Sequence, residues 1–183
     1  PTPLHEEHAV ICANAGKHVH IQKPMANDVA SAMRIVEACE RNGVMLKLAE
    51  NYVHYPPLTT AKDLIDNGMI GTISQMRMKF VGAGSGGWDV PKESWKWRES
   101  ESESGRPDKT FDHGHHMFAT AYWFLNKHLP THVFGHVAPN SPDTPSVCMF
   151  SCSTEDETTL TGMCVYHRIV LENKSHTTTI QVL

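Results

Sequence analysis

Apolar and polar residues follow two different patterns along the chain, and the change falls near residue 70. In the first part, apolar residues recur at helical spacing in three segments, which two short apolar runs separate. This pattern predicts helices over 4–15, 27–43 and 56–68, and strands over 18–21 and 44–49. Helices and strands that alternate with short links are typical of a parallel sheet with crossover helices.

The segment 27–43 has a clear helical pattern. Asn27 is a favourable N-cap residue, and Gly43 is suited to end the helix. The apolar positions between them predict a single buried stripe made of Val29, Met33, Val36 and Cys39.

After Gly71 the pattern becomes that of a sheet with few helices. Alternation with a period of two predicts a strand over 72–84, and apolar segments predict further strands over 132–139, 146–152, 159–171 and 177–183. The second part therefore predicts an α+β domain with a mostly antiparallel sheet.

One helix interrupts these strands, over 112–126. Its core positions are predicted to be Met117, Phe118, Tyr122 and Leu125. Residues 82–108, which are rich in Gly, Ser, Glu and Trp, are too long for an ordinary connection and predict a lid or an active-site loop.

The bulk composition narrows the class of protein. Of 183 residues, 40% are hydrophobic and 20% charged, and the formal net charge is −4, which argues against a nucleic-acid partner. No apolar run approaches the roughly 20 residues that span a bilayer, so no membrane partner is expected. Five cysteines, an odd and scattered set without a CxxC pair, predict reduced core thiols in a cytoplasmic protein.

Histidine is unusually frequent, with 13 residues that include the clusters "HEEH" at 5–8 and "DHGHH" at 112–116. Imidazoles three or four positions apart share a helix face, as metal ligands often do. However, "HEEH" is one residue short of the HExxH spacing, and no third ligand is spaced to complete a site. We therefore predict no metal.

A lysine and a proline follow the first predicted strand. Pro24 cannot donate to a strand ladder, so Lys23 is placed at the tip of the strand. Ligands of α/β sheets bind at such tips. The strand, GxGxxG turn and helix that should open a dinucleotide-binding sheet are absent from the sequence, which starts at a proline, so we expect an internal fragment.

Four segments in order resemble motifs of one family. They are "PTPLHEEHAVICANAGKHVHIQKPMA" at 1–26, "AENYVHYP" at 49–56, "WKWR" at 95–98 and "DHGHH" at 112–116. The chain, from residue 1 to about 140, thereby resembles the Gfo/Idh/MocA family of NAD(P)-dependent oxidoreductases. Two positions depart from the family pattern: Gln22 stands where the signature has glutamate, and Val53 stands where an arginine is frequent.

The resemblance implies a fold and an activity. The fold would be the C-terminal part of a Rossmann-type domain, residues 1–56, followed by an α+β substrate-binding and dimerisation domain, residues 57–183. The activity would be hydride transfer between NAD or NADP and a hydroxyl of a sugar, an inositol or a related polyol. A homo-oligomer, dimeric or larger, is expected, and the chain alone is expected to be inactive because the pyrophosphate site lies outside it.

The candidate site residues are predicted partly from the sequence pattern and partly from the resemblance. Asp112 and His116 lie four positions apart at the predicted start of a helix, so they project from one face, and the positive end of the helix disfavours an imidazolium. We expect His116 to act as general base, Asp112 to hold the substrate hydroxyl or orient the histidine, and Lys23 to stabilise the developing oxyanion. The resemblance further implies cofactor contacts by His5, Gln22, Lys23, Pro24 and Asn51, and substrate contacts by Trp97, Arg98 and His115.

Simpler interpretations of the same residues stay open. Asp112 is also a good N-cap residue, His116 is also explained as a core histidine with His115 as the true ligand, and His113 is expected at the surface. The departures at Gln22 and Val53 keep a second function class open, a non-catalytic binding or regulatory protein that uses the oxidoreductase fold.

Overall fold

The computed structural model describes residues 1–83, 91, 93, 96–97, 108–126, 128–137, 146–153, 159–169 and 177–182. The chain forms two compact units, Pro1–Asn51 and Tyr52–Leu183. The domain limits predicted from the sequence, 1–56 and 57–183, stay a prediction. Within the described ranges, no helix is long and apolar enough to cross a membrane.

The first unit is a helix–strand–helix–strand arrangement. Its elements are a 3-10 helix (Thr2–Leu4), α1 (His5–Asn14), β1 (Val19–Gln22), α2 (Val29–Arg41) and β2 (Leu46–Ala49). The two strands pair in parallel, from Val19 opposite Leu46 to Gln22 opposite Ala49. The predicted α/β pattern of this part is confirmed.

Helix α2 differs from its prediction in both its cap and its buried face. The Asp28 carboxylate, not Asn27, caps it by accepting a hydrogen bond from the Ser31 backbone N–H at 2.7 Å. Val29 is 79% exposed and Met33 49% exposed. The buried positions are Ser31, Ile35, Ala38 and Cys39, so the prediction is confirmed at Cys39, while Val36 is half-buried.

Small side chains explain this choice of face. Ala38 and Cys39 form one buried cluster with Ala13 of α1, so the two helices approach through small residues. The larger Ile35 fills the space towards Ile21 of β1. The predicted stripe is wrong at Val29 and Met33 because it ranked positions by hydrophobicity, whereas close helix packing selects for size.

The second unit carries the sheet. Its elements are a 3-10 helix (Tyr52–His54), α3 (Pro56–Asp66), β3 (Gln75–Ala83), α4 (Asp108–Phe124), β4 (Pro130–Val137), β5 (Ser146–Ser153), β6 (Thr159–Ile169) and β7 (Thr177–Val182). The strand order is β4-β5-β6-β3-β7. Only the β3–β6 pair is parallel among the described pairs, so the predicted mostly antiparallel sheet is confirmed.

Helix α4 covers one face of this sheet. The core between them contains Met76, Met78, Phe80, Phe150, Cys152, Leu160 and Cys164 from the strands, and Met117, Ala121, Phe124 and Leu125 from the helix and its end. Phe150 lies directly opposite Gly162 on the neighbouring strand. A Cβ atom on Gly162 would lie 2.1 Å from Phe150 Cζ, so the aromatic ring occupies the space that the glycine leaves open.

Three further details of the structure differ from what the sequence predicts. Phe118 and Tyr122 are exposed rather than buried in the core. His113 is half-buried rather than at the surface. The five cysteines are free, but Cys12 is exposed, so not all of them are core thiols. The predicted loop 82–108 lies largely outside the described residues.

Candidate active site

The first group of candidate residues lies where β1 ends. Because β1 and β2 are parallel and their last pair is Gln22 with Ala49, Lys23 and Asn51 both follow the carboxyl edge of this sheet. Lys23 is half-buried and Asn51 is exposed. The carboxyl edge is where ligands of open α/β sheets bind.

Two side chains brace the backbone of the turn after β1. The side-chain Oε1 of Gln22 accepts a hydrogen bond from the Lys23 backbone N–H at 2.8 Å. His5 Nδ1 donates to the Pro24 carbonyl oxygen at 2.9 Å, and the Lys23–Pro24 peptide bond is cis. Burial lowers the pKa of His5 below its usual 6.5, which favours the neutral ring. These contacts give His5 and Gln22 a role in placing Lys23, while their predicted contacts with a cofactor stay predictions.

The second group consists of histidines on α4. His116 is only 5% exposed, and the half-buried His115 beside it has its ring centroid 4.0 Å away at an interplanar angle of 45°. His113 lies farther off, with its ring centroid 6.4 Å from that of His116, and stacks on Phe80 at 5.5 Å. A neutral imidazole has one ring nitrogen that can accept a proton from a substrate hydroxyl, which is the property that a general base requires.

Tyr52 also belongs to this group, although it was not among the residues predicted from the sequence. Its ring stacks on the His116 ring, with centroids 4.3 Å apart and an interplanar angle of 11°. Tyr52 directly follows Asn51 in the quoted segment "AENYVHYP", and an aromatic residue beside a predicted contact was the available signal.

The remaining predicted residues are placed less completely. Asp112 is the fifth residue of α4, which begins at Asp108, so it lies inside the helix and is not its N-cap. For the same reason His116 lies beyond the first helical turn, where the effect of the helix dipole has largely faded. The prediction that the positive end of the helix disfavours an imidazolium at His116 is therefore wrong. The Asp112 side chain and Arg98 lie outside the described residues, and Trp97 is half-buried.

Two family models match the chain in succession. One, described as the oxidoreductase family with an NAD-binding Rossmann fold, matches residues 1–50. The other, described as the GFO/IDH/MocA C-terminal domain, matches residues 58–180. Together they account for most of the chain.

Named relatives agree with these matches. The chain is 31% identical over 105 residues to levoglucosan dehydrogenase of Pseudarthrobacter phenanthrenivorans. These residues cover 57% of this chain and 27% of that protein. It is 28% identical over 117 residues to scyllo-inositol 2-dehydrogenase (NADP(+)) of Bacillus subtilis, and these residues cover 64% of this chain and 30% of that protein. The matched segment thus spans less than a third of either relative.

The fold is shared with a solved structure. An inositol dehydrogenase homologue from Azotobacter vinelandii, complexed with NADH and myo-inositol, superposes with a TM-score of 0.77 at 19% identity. The superposition covers 100% of this chain and 46% of that one. At this level of identity the likeness concerns the fold.

Proposed function

The chain belongs to the GFO/IDH/MocA family of oxidoreductases, and from that premise we propose that it carries catalytic residues of an NAD(P)-dependent dehydrogenase. The substrate would be a sugar, an inositol or a related polyol, oxidised at a secondary hydroxyl. The succession of the two family models along the chain carries this proposal, and the dehydrogenase names of the matched relatives support it.

The first unit is suited to hold part of the dinucleotide. Lys23 and Asn51 follow the carboxyl edge of a parallel strand pair, and His5 and Gln22 fix the backbone that presents Lys23. These residues, with Pro24, are the proposed contacts to the cofactor. When bound, the nicotinamide supplies the hydride acceptor.

The chemistry on the substrate is assigned residue by residue. His116 accepts the hydroxyl proton, and its burial shields that proton from exchange with bulk water. The Lys23 ammonium donates a hydrogen bond to the oxygen on which negative charge develops. Asp112 orients the hydroxyl or His116, while Trp97, Arg98 and His115 contact the sugar ring.

Turnover of a substrate panel tests this proposal. We would follow nicotinamide absorbance with levoglucosan, scyllo-inositol, myo-inositol and glucose, with NAD or NADP, in the full-length gene product and in this chain. His116→Ala is expected to lower kcat by roughly 10²–10⁴-fold. The matched control is His8→Ala, at an exposed histidine on α1, which should leave kcat unchanged. Equal rates for the two variants would contradict the assignment of His116.

The chain by itself is expected not to turn over, because the family's pyrophosphate-binding turn is not in its sequence. Dehydrogenase activity of the purified 183 residues would overturn this expectation.

A non-catalytic binding or regulatory role is the second candidate. The observation in its favour is that Gln22 stands where the family signature has a glutamate, so this position carries no negative charge. Gln22→Glu separates the two functions: a binder gains nothing from the charge, whereas an enzyme changes its rate. Full-length protein that binds NAD(H) but turns over no polyol before or after this change would favour the binder.

The outer face of the sheet supports self-association. Phe134 is 62% exposed and pairs with Met149, which is 49% exposed, so two large apolar side chains lie next to each other on one face. Exposed apolar patches of this kind mark protein interfaces. We therefore propose a homodimer or larger assembly formed through this face. Phe134→Ser is expected to shift sedimentation towards the monomer, and an unchanged sedimentation profile would exclude this face.

A further inference from the structure

The orientation of the His116 ring needs an explanation that α4 itself does not supply. A helix constrains the first side-chain torsion of a histidine, but the second torsion, which turns the ring plane, is broad and roughly two-fold. A general base works only when its lone pair is held within about 10–20° of the productive direction. Some other group must therefore define the plane of the imidazole.

Tyr52 has the geometry of such a group. Its ring is nearly parallel to the imidazole, at 11°, and close enough for full contact of the two faces, at 4.3 Å. Rotation of the imidazole about its second torsion would drive a ring edge into the tyrosine face. The stack thus restricts the one torsion that the helix leaves free.

The tyrosine is itself firmly held. Its ring packs against the main core cluster of the second unit. Its carbonyl oxygen accepts a hydrogen bond from the Tyr55 backbone N–H at 3.0 Å, which closes the 3-10 turn. The 3-10 helix Tyr52–His54 also contacts α4. Tyr52 is therefore a fixed surface and not a side chain that follows the histidine.

We propose that Tyr52 is a positioning residue, whose aromatic face sets the ring plane of His116 for proton transfer. The role belongs to the ring and not to the hydroxyl group. This inference rests on the proposed function of His116 as general base, but the stack can be tested without turnover.

The first test is spectroscopic and uses this chain. A histidine ring proton that lies over an aromatic face resonates upfield, so NMR of histidine-labelled protein, assigned through His116→Gln, reports the stack. Tyr52→Phe should leave the His116 signal in place, and Tyr52→Leu should move it downfield. Direct contacts between the two rings are expected in nuclear Overhauser spectra of the unaltered protein. Their absence there overturns the proposal even when Tyr52→Leu fails to fold.

The second test is kinetic and uses the full-length gene product. Tyr52→Leu is expected to lower kcat by about tenfold, the rate equivalent of a strong aromatic stack, with KM within about twofold of the original value. Tyr52→Phe should restore kcat to within about twofold on the same scale. Tyr55→Leu is the matched control, because Tyr55 lies on the same segment but is exposed.

The outcomes separate this proposal from the proposed function. If Tyr52→Leu keeps full kcat, or if Tyr52→Phe loses as much as Tyr52→Leu, the ring does not position the base. If His116→Ala keeps full kcat while the NMR shift follows the ring at position 52, the stack is real and the catalytic assignment of His116 is wrong.

Discussion

Replacing Gly162 by alanine adds one methyl group at a position where the Phe150 ring already lies. The new Cβ would lie 2.1 Å from Cζ, 2.4 Å from Cε2 and 2.6 Å from Cε1 of that ring. Three ring atoms closer than any real contact allows cannot be relieved by a small adjustment, so either the phenyl ring leaves its position or the two strands separate.

The cost follows from what the ring loses. Overpacking of a filled core costs about 1–3 kcal/mol, and expelling a buried phenylalanine costs about 1.5–3 kcal/mol. Alanine recovers about 0.5–1 kcal/mol in a strand, because glycine loses more backbone entropy on folding. We therefore expect Gly162→Ala to lower the free energy of unfolding by about 1–2 kcal/mol.

Urea denaturation followed by circular dichroism measures this change. Gly135→Ala is the matched control, since Gly135 lies in strand β4 with no atom within 4 Å of its added Cβ, and it should be neutral or slightly stabilising. Phe150→Leu in the Gly162→Ala background should recover part of the loss, because the smaller side chain leaves room for the methyl group. Equal unfolding midpoints for Gly162→Ala and Gly135→Ala would refute the packing argument.

Three further predictions concern the first unit. Ile35→Ala should cost about 2–5 kcal/mol of unfolding free energy, whereas Met33→Ala, at an exposed position, should change it by less than about 0.5 kcal/mol. Equal losses in urea denaturation would mean that Met33 is buried, as the sequence pattern predicted. Hydrogen bonds from Arg34 hold the pKa of Glu6 at about 2, below its usual 4.5, so the pair stabilises the fold above pH 4.5 and this stability is lost as the pH falls through about 2. Glu6→Gln should therefore lower the denaturation midpoint at neutral pH but not near pH 2, and a loss of the same size at both would contradict the ion pair. Burial lowers the pKa of His5, so protonation of its ring opposes folding. The stability is therefore retained above the usual pKa of 6.5 and is lost as the pH falls below it. Thermal scans of His5→Gln should show a weaker pH dependence than those of the unaltered chain, and identical pH profiles would contradict this.

Much of the fold could be predicted because its elements carry strong local signals. Gly16, Gly43 and Gly68 each follow a helix with a positive φ angle, which is why the helix ends were found correctly. The alternation that includes Met76, Met78 and Phe80 correctly predicted the strand β3, and all three side chains are buried. The strand pairing could not be predicted from local patterns, because the parallel pair of β3 and β6 joins residues 86 positions apart, such as Gln75 and Thr161.

The candidate site was predicted in part, for a related reason. Lys23 and His116 stand out by residue type and by family motif, whereas the stack of Tyr52 on His116 depends on a contact across 64 positions that no local pattern encodes. The start of α4 was misplaced because polar residues before "DHGHH" resemble a loop. Because of that error of a few residues, Asp112 was interpreted as an N-cap residue and His116 was placed at the positive end of the helix, and neither is the case.

The pairing of β3 also has a consequence for synthesis on the ribosome. Its two neighbours, β6 and β7, begin at Thr159 and Thr177, so the partners for both edges of β3 (Gln75–Ala83) are synthesised long after β3 itself. In the first unit, by contrast, the paired strands β1 and β2 both lie within the short segment Val19–Ala49. The strand pair of the first unit can therefore form soon after β2 has been synthesised, whereas the apolar residues of β3 stay exposed to aggregation until β6 and β7 have left the ribosome.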